Sequence, residues 1–374
     1  MQKVTIIYRT IPQYRIEFYN QLKVFLNSKD IELQLIYGNN GFRGRNDSVD
    51  IEWATYIENK STTIKGLTLI WQPCLHLIKD SDLVIVEQAN MLLINYLLIL
   101  KRMIFNKKFA FWGHGQNLQA PKDSLFNRFK MTYINQSSWW FPYTEGVKRF
   151  LVSKGVDESK ISVVQNAIDT MTLREQYLSF SKEEISNYRD ELGIEKNDKV
   201  LIYCGALAKE KNLSFLLESI ILLRKKTSEK FKLLILGNGP EKIVVEDFVK
   251  KSEDTIYVGS KFGLEKSKCF RCADIFLLPG LMGLAILDAF AFETPIITIE
   301  YPYHSPEIEY LKNYENGIMT KNDLDEYTSK IIELFNDNML YEKIRINGVE
   351  ELKSLNIENM VKNFGNGIVE CLST

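Results

Sequence analysis

The stretch Ile275–Ile299 constrains the fold more than any other. Four apolar residues (Ile275–Leu278) run into Pro279-Gly280-Leu281-Met282-Gly283; a short helix-prone segment over about Leu284–Phe292 follows, and then a second apolar run, Ile296–Ile299. A strand, a tight turn, a helix and a second strand read as a βαβ unit, in which the strands lie parallel. The same alternation fills the chain. Strands are expected at Val4–Tyr8, Glu32–Tyr37, Leu83–Val86, Lys108–Trp112, Trp139–Pro142 and Ile161–Val164, and again at Val200–Cys204, Lys232–Leu236 and Ile256–Val258. Helices fall between them, among them Tyr14–Leu26, Thr144–Lys154 with Thr144 as N-cap and Gly155 past its end, Leu213–Lys226, Glu241–Lys251 and Glu265–Cys272. This pattern predicts an α/β protein of doubly wound parallel sheets.

At 374 residues the chain suits two domains of roughly 170 residues each. The expected division is 1–169, a polar, helix-prone linker over 170–197, a second domain over 198–350, and a C-terminal segment 351–374 whose apolar residues Ile357, Met360, Val361, Phe364, Ile368 and Cys371 recur at helical spacing.

In open α/β sheets ligands sit beyond the carboxyl ends of the strands, so candidate residues belong in the loops that follow them. The Gly280–Leu284 turn (Gly280, Leu281, Met282, Gly283, Leu284) offers backbone amides at a helix N-terminus to an anion or to sugar hydroxyls. Asp288, just over one turn into that helix, can reach a ligand above the turn. Val200–Cys204 is followed by Gly205-Ala206-Leu207-Ala208-Lys209-Glu210-Lys211, and Lys232–Leu236 by Gly237-Asn238-Gly239-Pro240-Glu241. Gly259-Ser260-Lys261-Phe262 follows the next strand. In the first half, Gly113 and Gly115 bracket His114, with Gln116 and Asn117 beyond, and the first strand leads to Arg9 and Arg15.

These motifs resemble the retaining glycosyltransferases of GT-B fold, family 4. There a Pro-Ser-x-x-Glu-Gly-Phe-Gly-Leu segment precedes a second glutamate and Ala-x-Ala-x-Gly-x-Pro. Gly283, Leu284, Ala289, Ala291, Pro295 and Ile297 match; the first glutamate is Gly280, the second is Asp288, and the helix-ending glycine is Glu293. A Pro-Gly-x-x-Gly-Leu turn without the first glutamate also resembles a variant subgroup of bacterial surface-polysaccharide transferases. Gly205, Leu207 and Lys211 match Gly-Arg-Leu-x-x-x-Lys, with Ala206 in place of the arginine and Lys209 as a substitute charge. Gly237 to Glu241 matches Gly-x-Gly-Pro-Glu. Val163 to Asp169 resembles the segment that ends the family's first domain. Pro306-Glu307 resembles the end of Gly-Gly-x-Pro-Glu, with Tyr303 and His304 replacing the glycines.

The resemblance implies two Rossmann-like domains facing a cleft, with the C-terminal helix crossing back to the first. Lys211 would hold the donor diphosphate, Asp288 the ribose hydroxyls and the Gly280–Leu284 turn the donor sugar. Lys261 would lie in the base-reading loop, Glu307 would order its loop beside the donor, and His114 would face the reaction centre. Arg9, Gln116 and Asn117 would meet the acceptor, and Arg15 would bind an acceptor phosphate or the donor diphosphate. The expected partners are a nucleotide sugar, most often UDP-linked, and a glycan or lipid-linked saccharide, not nucleic acid. No cofactor or metal is expected. A nucleotide-sugar epimerase and an inactive sugar-nucleotide-binding partner subunit are the competing readings.

Charge adds one further expectation. Residues 1–170 carry 21 Lys and Arg against 15 Asp and Glu, whereas the rest carries 26 against 33. A basic first half suggests an anionic membrane surface or a phosphate-bearing acceptor. No signal-peptide pattern opens the chain, and its longest apolar run, Met91–Leu100, is too short to span a bilayer. The expected location is therefore the cytoplasm, resting on the inner face of the membrane. Five scattered cysteines predict no disulfide framework. Asp80-Ser81-Asp82 imitates a metal motif but precedes its strand, at the wrong end of the sheet.

Overall fold

The computed structural model describes residues 1–38, 50–64, 67–115, 128 and 131–374. They form two units, one of Met1–Ile168 with Ile357–Thr374, the other of Asp169–Asn356.

The first unit is built on a six-stranded sheet in the order β3-β2-β1-β6-β7-β8. Its strands are β1 (Gln2–Tyr8), β2 (Ile31–Gly38), β3 (Thr55–Ile57), β6 (Leu83–Glu87), β7 (Lys108–Gly113) and β8 (Trp139–Pro142), all paired in parallel. Val4, Ile6, Ile85, Ala110 and Phe111 are all fully buried, the near-continuous apolar pattern of strands covered on both faces. Strands β4 (Lys60–Ile64) and β5 (Leu67–Trp71) form a separate antiparallel hairpin. The described helices include α1 (Ile16–Asn27), α2 (Leu93–Phe105) and α3 (Glu145–Ser153). Thr144 caps α3 by accepting from the Val147 amide, and Gly155 lies past its end at φ +82°.

The second unit repeats the plan with β11-β10-β9-β12-β13-β14. Here β9 (Lys199–Cys204), β10 (Phe231–Leu236), β11 (Thr255–Gly259), β12 (Ile275–Leu277), β13 (Ile296–Ile299) and β14 (Ile318–Thr320) are again all parallel. Around them lie α4 (Thr170–Ser179), α5 (Lys182–Glu191), α6 (Leu213–Lys226), α7 (Lys242–Val249), α8 (Gly263–Arg271), α9 (Ala285–Ala291), α10 (Leu324–Asn336) and α11 (Asn338–Glu351). Helix α12 (Ile357–Ser373) belongs to the first unit, where Phe364 stacks on Phe141 at 4.3 Å and Lys108 Nζ donates to the Cys371 and Leu372 carbonyls.

In each sheet the strand order reverses direction beside its first strand. This is the Rossmann arrangement, whose crevice lies between the strands flanking that switch: β1 and β6 in one unit, β9 and β12 in the other.

Several elements differ from expectation. Residues 170–197, expected as a linker, hold α4 and α5 and cluster with the second unit. Ser181 and Glu184 close a reciprocal capping box that starts α5. Ile161–Val164 is no strand; it runs beside β8 through Ser162 N–H to Trp140 O and Val164 N–H to Pro142 O, each 2.9 Å. Asp82, the second carboxylate of the apparent metal motif, accepts from the Lys3 amide at 2.7 Å and so closes the amino end of the sheet. Cys269 and Cys272 are buried thiols on and just past α8.

Candidate functional site

At the switch point of the second unit the backbone itself builds the site. The loop after β9 and the loop after β12 touch. Leu281 N–H donates to Glu210 O at 2.7 Å, and Asn212 Nδ2 donates to Pro279 O at 3.3 Å. A Cβ added at Gly280 would stand 2.3 Å from the Lys211 carbonyl carbon and 2.6 Å from Glu210 O, so no larger residue fits without parting the loops. The missing glutamate of the family pattern is thus a fitted glycine. Gly237 plays the same part on the other side: its φ is +146° and an added Cβ would meet Gly205 O at 1.9 Å. Leu207 N–H donates to Asn238 O and Glu241 N–H to Leu207 O, which ties the loops after β9 and β10 together. Ala206 is exposed, and its carbonyl accepts from Tyr203 OH at 2.7 Å.

Lys211 enters this frame from a turn of 3-10 helix, Lys209–Lys211. Its Nζ donates to Leu281 O at 2.5 Å. Burial brings its pKa down to about 8, against the pull of Glu210 and Cys204. No carboxylate pairs with it among the described residues. An incompletely compensated, half-buried ammonium beside exposed loop amides suits an anionic ligand. Lys209, by contrast, is exposed on the outside of the same turn.

Asp288 carries a partner that sequence reasoning missed. Lys266 Nζ, from α8, lies 2.7 Å from Asp288 Oδ1, and the two side chains are only 17% and 13% exposed. Burial pushes the Lys266 ammonium toward neutrality, but the Asp288 carboxylate and Cys204 outweigh it and its pKa stands above the ordinary lysine value. Burial in the same pocket pushes the Cys204 thiol up to about 12. Lys266 sits in an otherwise unremarkable charged helix, and only its packing against α9 singles it out.

The turn amides need correction. The full ring expected at Gly280–Leu284 is not open, because Leu281 N–H serves Glu210 and Met282 N–H donates to His304 Nδ1 at 3.0 Å. Among the described residues the Gly283 and Leu284 amides remain without a protein acceptor. His304 is buried and locked: with Nδ1 accepting, its Nε2–H donates to Ile299 O at 2.9 Å. Burial holds its pKa below the usual value, so the ring is a neutral strut of the turn. Glu307, next in this segment, is buried on the 3-10 helix Pro306–Tyr310. Lys261 lies just after β11 and pairs with Glu265 at 3.0 Å. Glu293 adopts φ +50° at the end of α9, where glycine was expected; Arg174 at 2.7 Å and Arg345 both grip its carboxylate and offset the strain.

The first unit treats its candidate residues differently. Arg15, expected to meet an acceptor phosphate, is 1% exposed. Its guanidinium bonds Asn166 Oδ1 and Met360 Sδ and lies 5.2 Å from the rings of Tyr14 and Trp112. Burial pushes the neighbouring phenols of Tyr8, Tyr19 and Tyr143 up, so they surround the cation as neutral groups. Arg15 is thus an internal cation joining α12 to the sheet rather than a surface anchor. Arg9, just past β1, pairs with Glu87 at 3.3 Å across the β1/β6 switch point. His114 is exposed just past β7, edge-on to Tyr143 at 4.6 Å. Gln116 and Asn117 lie outside the described residues.

Both units thus define an α/β protein of Rossmann-like halves, the second with a loop cluster suited to a phosphorylated ligand. Residues 184–351 match the family described as Glycosyl transferases group 1. An uncharacterised glycosyltransferase of Methanocaldococcus jannaschii is 25% identical over 167 residues, 43% of this chain and 41% of that one. The chain therefore spans less than half of that relative. The chitobiosyldiphosphodolichol beta-mannosyltransferase of Candida albicans is 24% identical over 315 residues, covering 76% of this chain and 68% of its own. In structure, Anabaena HepE in complex with UDP superposes with a TM-score of 0.71 over 99% of this chain and 100% of that chain, at 13% identity. The GT-B type of fold is shared across the whole chain.

Proposed function

We propose that the protein is a glycosyltransferase that moves a sugar from a nucleotide donor, UDP-linked, to a glycan or lipid-linked acceptor with retention of anomeric configuration, in the building of a bacterial surface polysaccharide. The observation that carries this reading is the half-buried Lys211 ammonium, held on Leu281 O where the loops after β9 and β12 meet at the switch point. The family match lies almost wholly within the second unit, where those loops are. The fold shared with a UDP complex supports the choice of nucleotide.

In this reading the diphosphate lies over Lys211 and the Gly283 and Leu284 amides. Negative charge grows on it as the glycosidic bond breaks, and fixed donors there stabilise the transition state more than the ground state. Asp288 accepts from the ribose hydroxyls with the oxygen that Lys266 leaves unused, while Lys266 holds that carboxylate in place. Retention follows from same-face attack, in which the departing phosphate takes the acceptor's proton; Lys211 supplies the charge a metal would otherwise bring. The fit of Gly280 to the backbone of Glu210 and Lys211 argues against a decayed, inactive subunit, because that glycine is required by the loop packing.

The test incubates the protein with a panel of nucleotide sugars and saccharide acceptors, with and without EDTA, and follows the product's anomeric proton by NMR. Transfer with the donor's own configuration, unaffected by chelator, is expected. Inverted product, or activity lost to EDTA and restored by magnesium or manganese, contradicts the mechanism. Epimerised donor with no transfer to any acceptor contradicts the function.

A further inference from the structure

Helix α2 begins in the core of the first unit and ends outside it. Ile94, Asn95 and Leu98 are buried, but Leu100, Met103, Ile104 and Phe105 are exposed at 50%, 71%, 60% and 68%. Leu100, Met103 and Ile104 fall at i, i+3 and i+4, on one side of the helix, and Phe105 closes its last turn. Four large apolar side chains adjacent on one helix end are not the scattered exposure normal for a surface.

Basic residues surround them. Lys101 is half-buried and Lys107 exposed, and no carboxylate pairs with either among the described residues. Arg102 and Lys108 stand beside them but are spent on the protein: Arg102 on Ser138 Oγ and Gln136 O, Lys108 on the end of α12. The local sequence is correspondingly one-sided. Residues 88–144 carry seven Lys and Arg against one acidic residue, Asp123, while the rest of residues 1–170 holds fourteen of each sign. The entire positive excess of the first half therefore falls in the segment that contains this helix end.

We propose that the carboxyl-terminal end of α2 is a membrane-docking surface, with Leu100, Met103, Ile104 and Phe105 entering the headgroup region of an anionic bilayer and Lys101 and Lys107 meeting its phosphates. Apolar residues ringed by lysines on a helix too short to span form the pattern of a protein that lies on a membrane. No described helix is long and apolar enough to cross one. A second copy of the chain would satisfy the apolar residues but would set lysine against lysine, whereas an anionic bilayer meets both the apolar side chains and the lysines. The inference is independent of the donor chemistry, because lipid binding is measured without any nucleotide.

The test is sedimentation of the full chain with vesicles of phosphatidylcholine alone and of equal parts phosphatidylcholine and phosphatidylglycerol. Strong binding to the anionic vesicles only is expected at low salt. The pair Ile104→Ser and Phe105→Ser should lower partitioning at least tenfold. Lys101→Gln and Lys107→Gln should each lower it about fivefold, and salt at about 1 M should bring the wild type down to the level of the lysine variants. Ile104, Phe105 and Lys107 are exposed and Lys101→Gln keeps a long polar side chain at a half-buried position, so circular dichroism should show unchanged helix content. Equal binding to neutral and anionic vesicles overturns the proposal, as does binding indifferent to Ile104→Ser and Phe105→Ser. A concentration-dependent dimer abolished by the same pair assigns the surface to self-association and overturns it equally.

Discussion

The two units share a strand order, yet they treat charge at their switch points in opposite ways. In the second, glycines bring three loops into backbone contact and leave the Lys211 ammonium half-buried against a carbonyl, its pKa down to about 8. In the first, Arg15 is swallowed by aromatic rings and Arg9 is neutralised by Glu87. The same topology thus gives one unit a cation that a ligand can complete, and the other a cation already used for packing. A Rossmann switch point is a place where a site can be built, and which loops carry glycine and which carry aromatic side chains decides whether it is.

Substitutions can break this contrast. The largest effect is expected at Lys211. Lys211→Ala should reduce turnover roughly 100- to 1000-fold while changing donor affinity far less, since its partner charge grows in the transition state. A change confined to KM would make it a ground-state contact.

Next come Lys266 and Asp288. Removing either alone should weaken nucleotide binding roughly 10- to 100-fold and cost about 3–5 kcal/mol of stability, because the other charge is left buried. The double replacement Lys266→Met with Asp288→Leu should recover much of the stability in thermal melts without recovering affinity in calorimetry. Recovery of both would reduce the pair to a structural role.

The pH dependence is smaller. Lys211 is cationic below its pKa of about 8 and neutral above it. Turnover should therefore be flat at lower pH and fall up to tenfold per unit above about 8, a slope absent from Lys211→Arg.

Arg15→Met should have the least effect on the donor. It should alter the stability of the first unit through lost packing, by about 2–4 kcal/mol, and leave nucleotide affinity within about twofold. A large loss of affinity would erase the contrast.

The loop contacts of the second unit were legible in the sequence because they are made of backbone. Gly237, Gly239 and Gly280 stand where carbonyls come too close for a side chain, and such positions are visible as glycines in loops after strands. The alternation of strands and helices was equally legible from apolar runs and caps such as Thr144. What stayed hidden depends on side chains meeting across the fold. Lys266 and Asp288 are 22 residues apart and nothing local links them. Arg15 reads as a cation at the start of a helix, and only Met360, 345 residues away, together with the surrounding rings shows that it is internal. The use of the Leu281 and Met282 amides by Glu210 and His304 was hidden for the same reason. The two helices in 170–197 look polar because they cover the second unit with few apolar residues, α5 having none fully buried.

The claim that the donor nucleotide rests on the switch-point loops of the second unit is tested most directly by amide hydrogen exchange with and without saturating UDP. The account predicts slowed exchange at residues 205–211 and 280–288, centred on Gly283 and Leu284, with α1 and Arg15 unchanged. Binding accompanied by protection only in the first unit, or by none at residues 205–211 and 280–288, would contradict it.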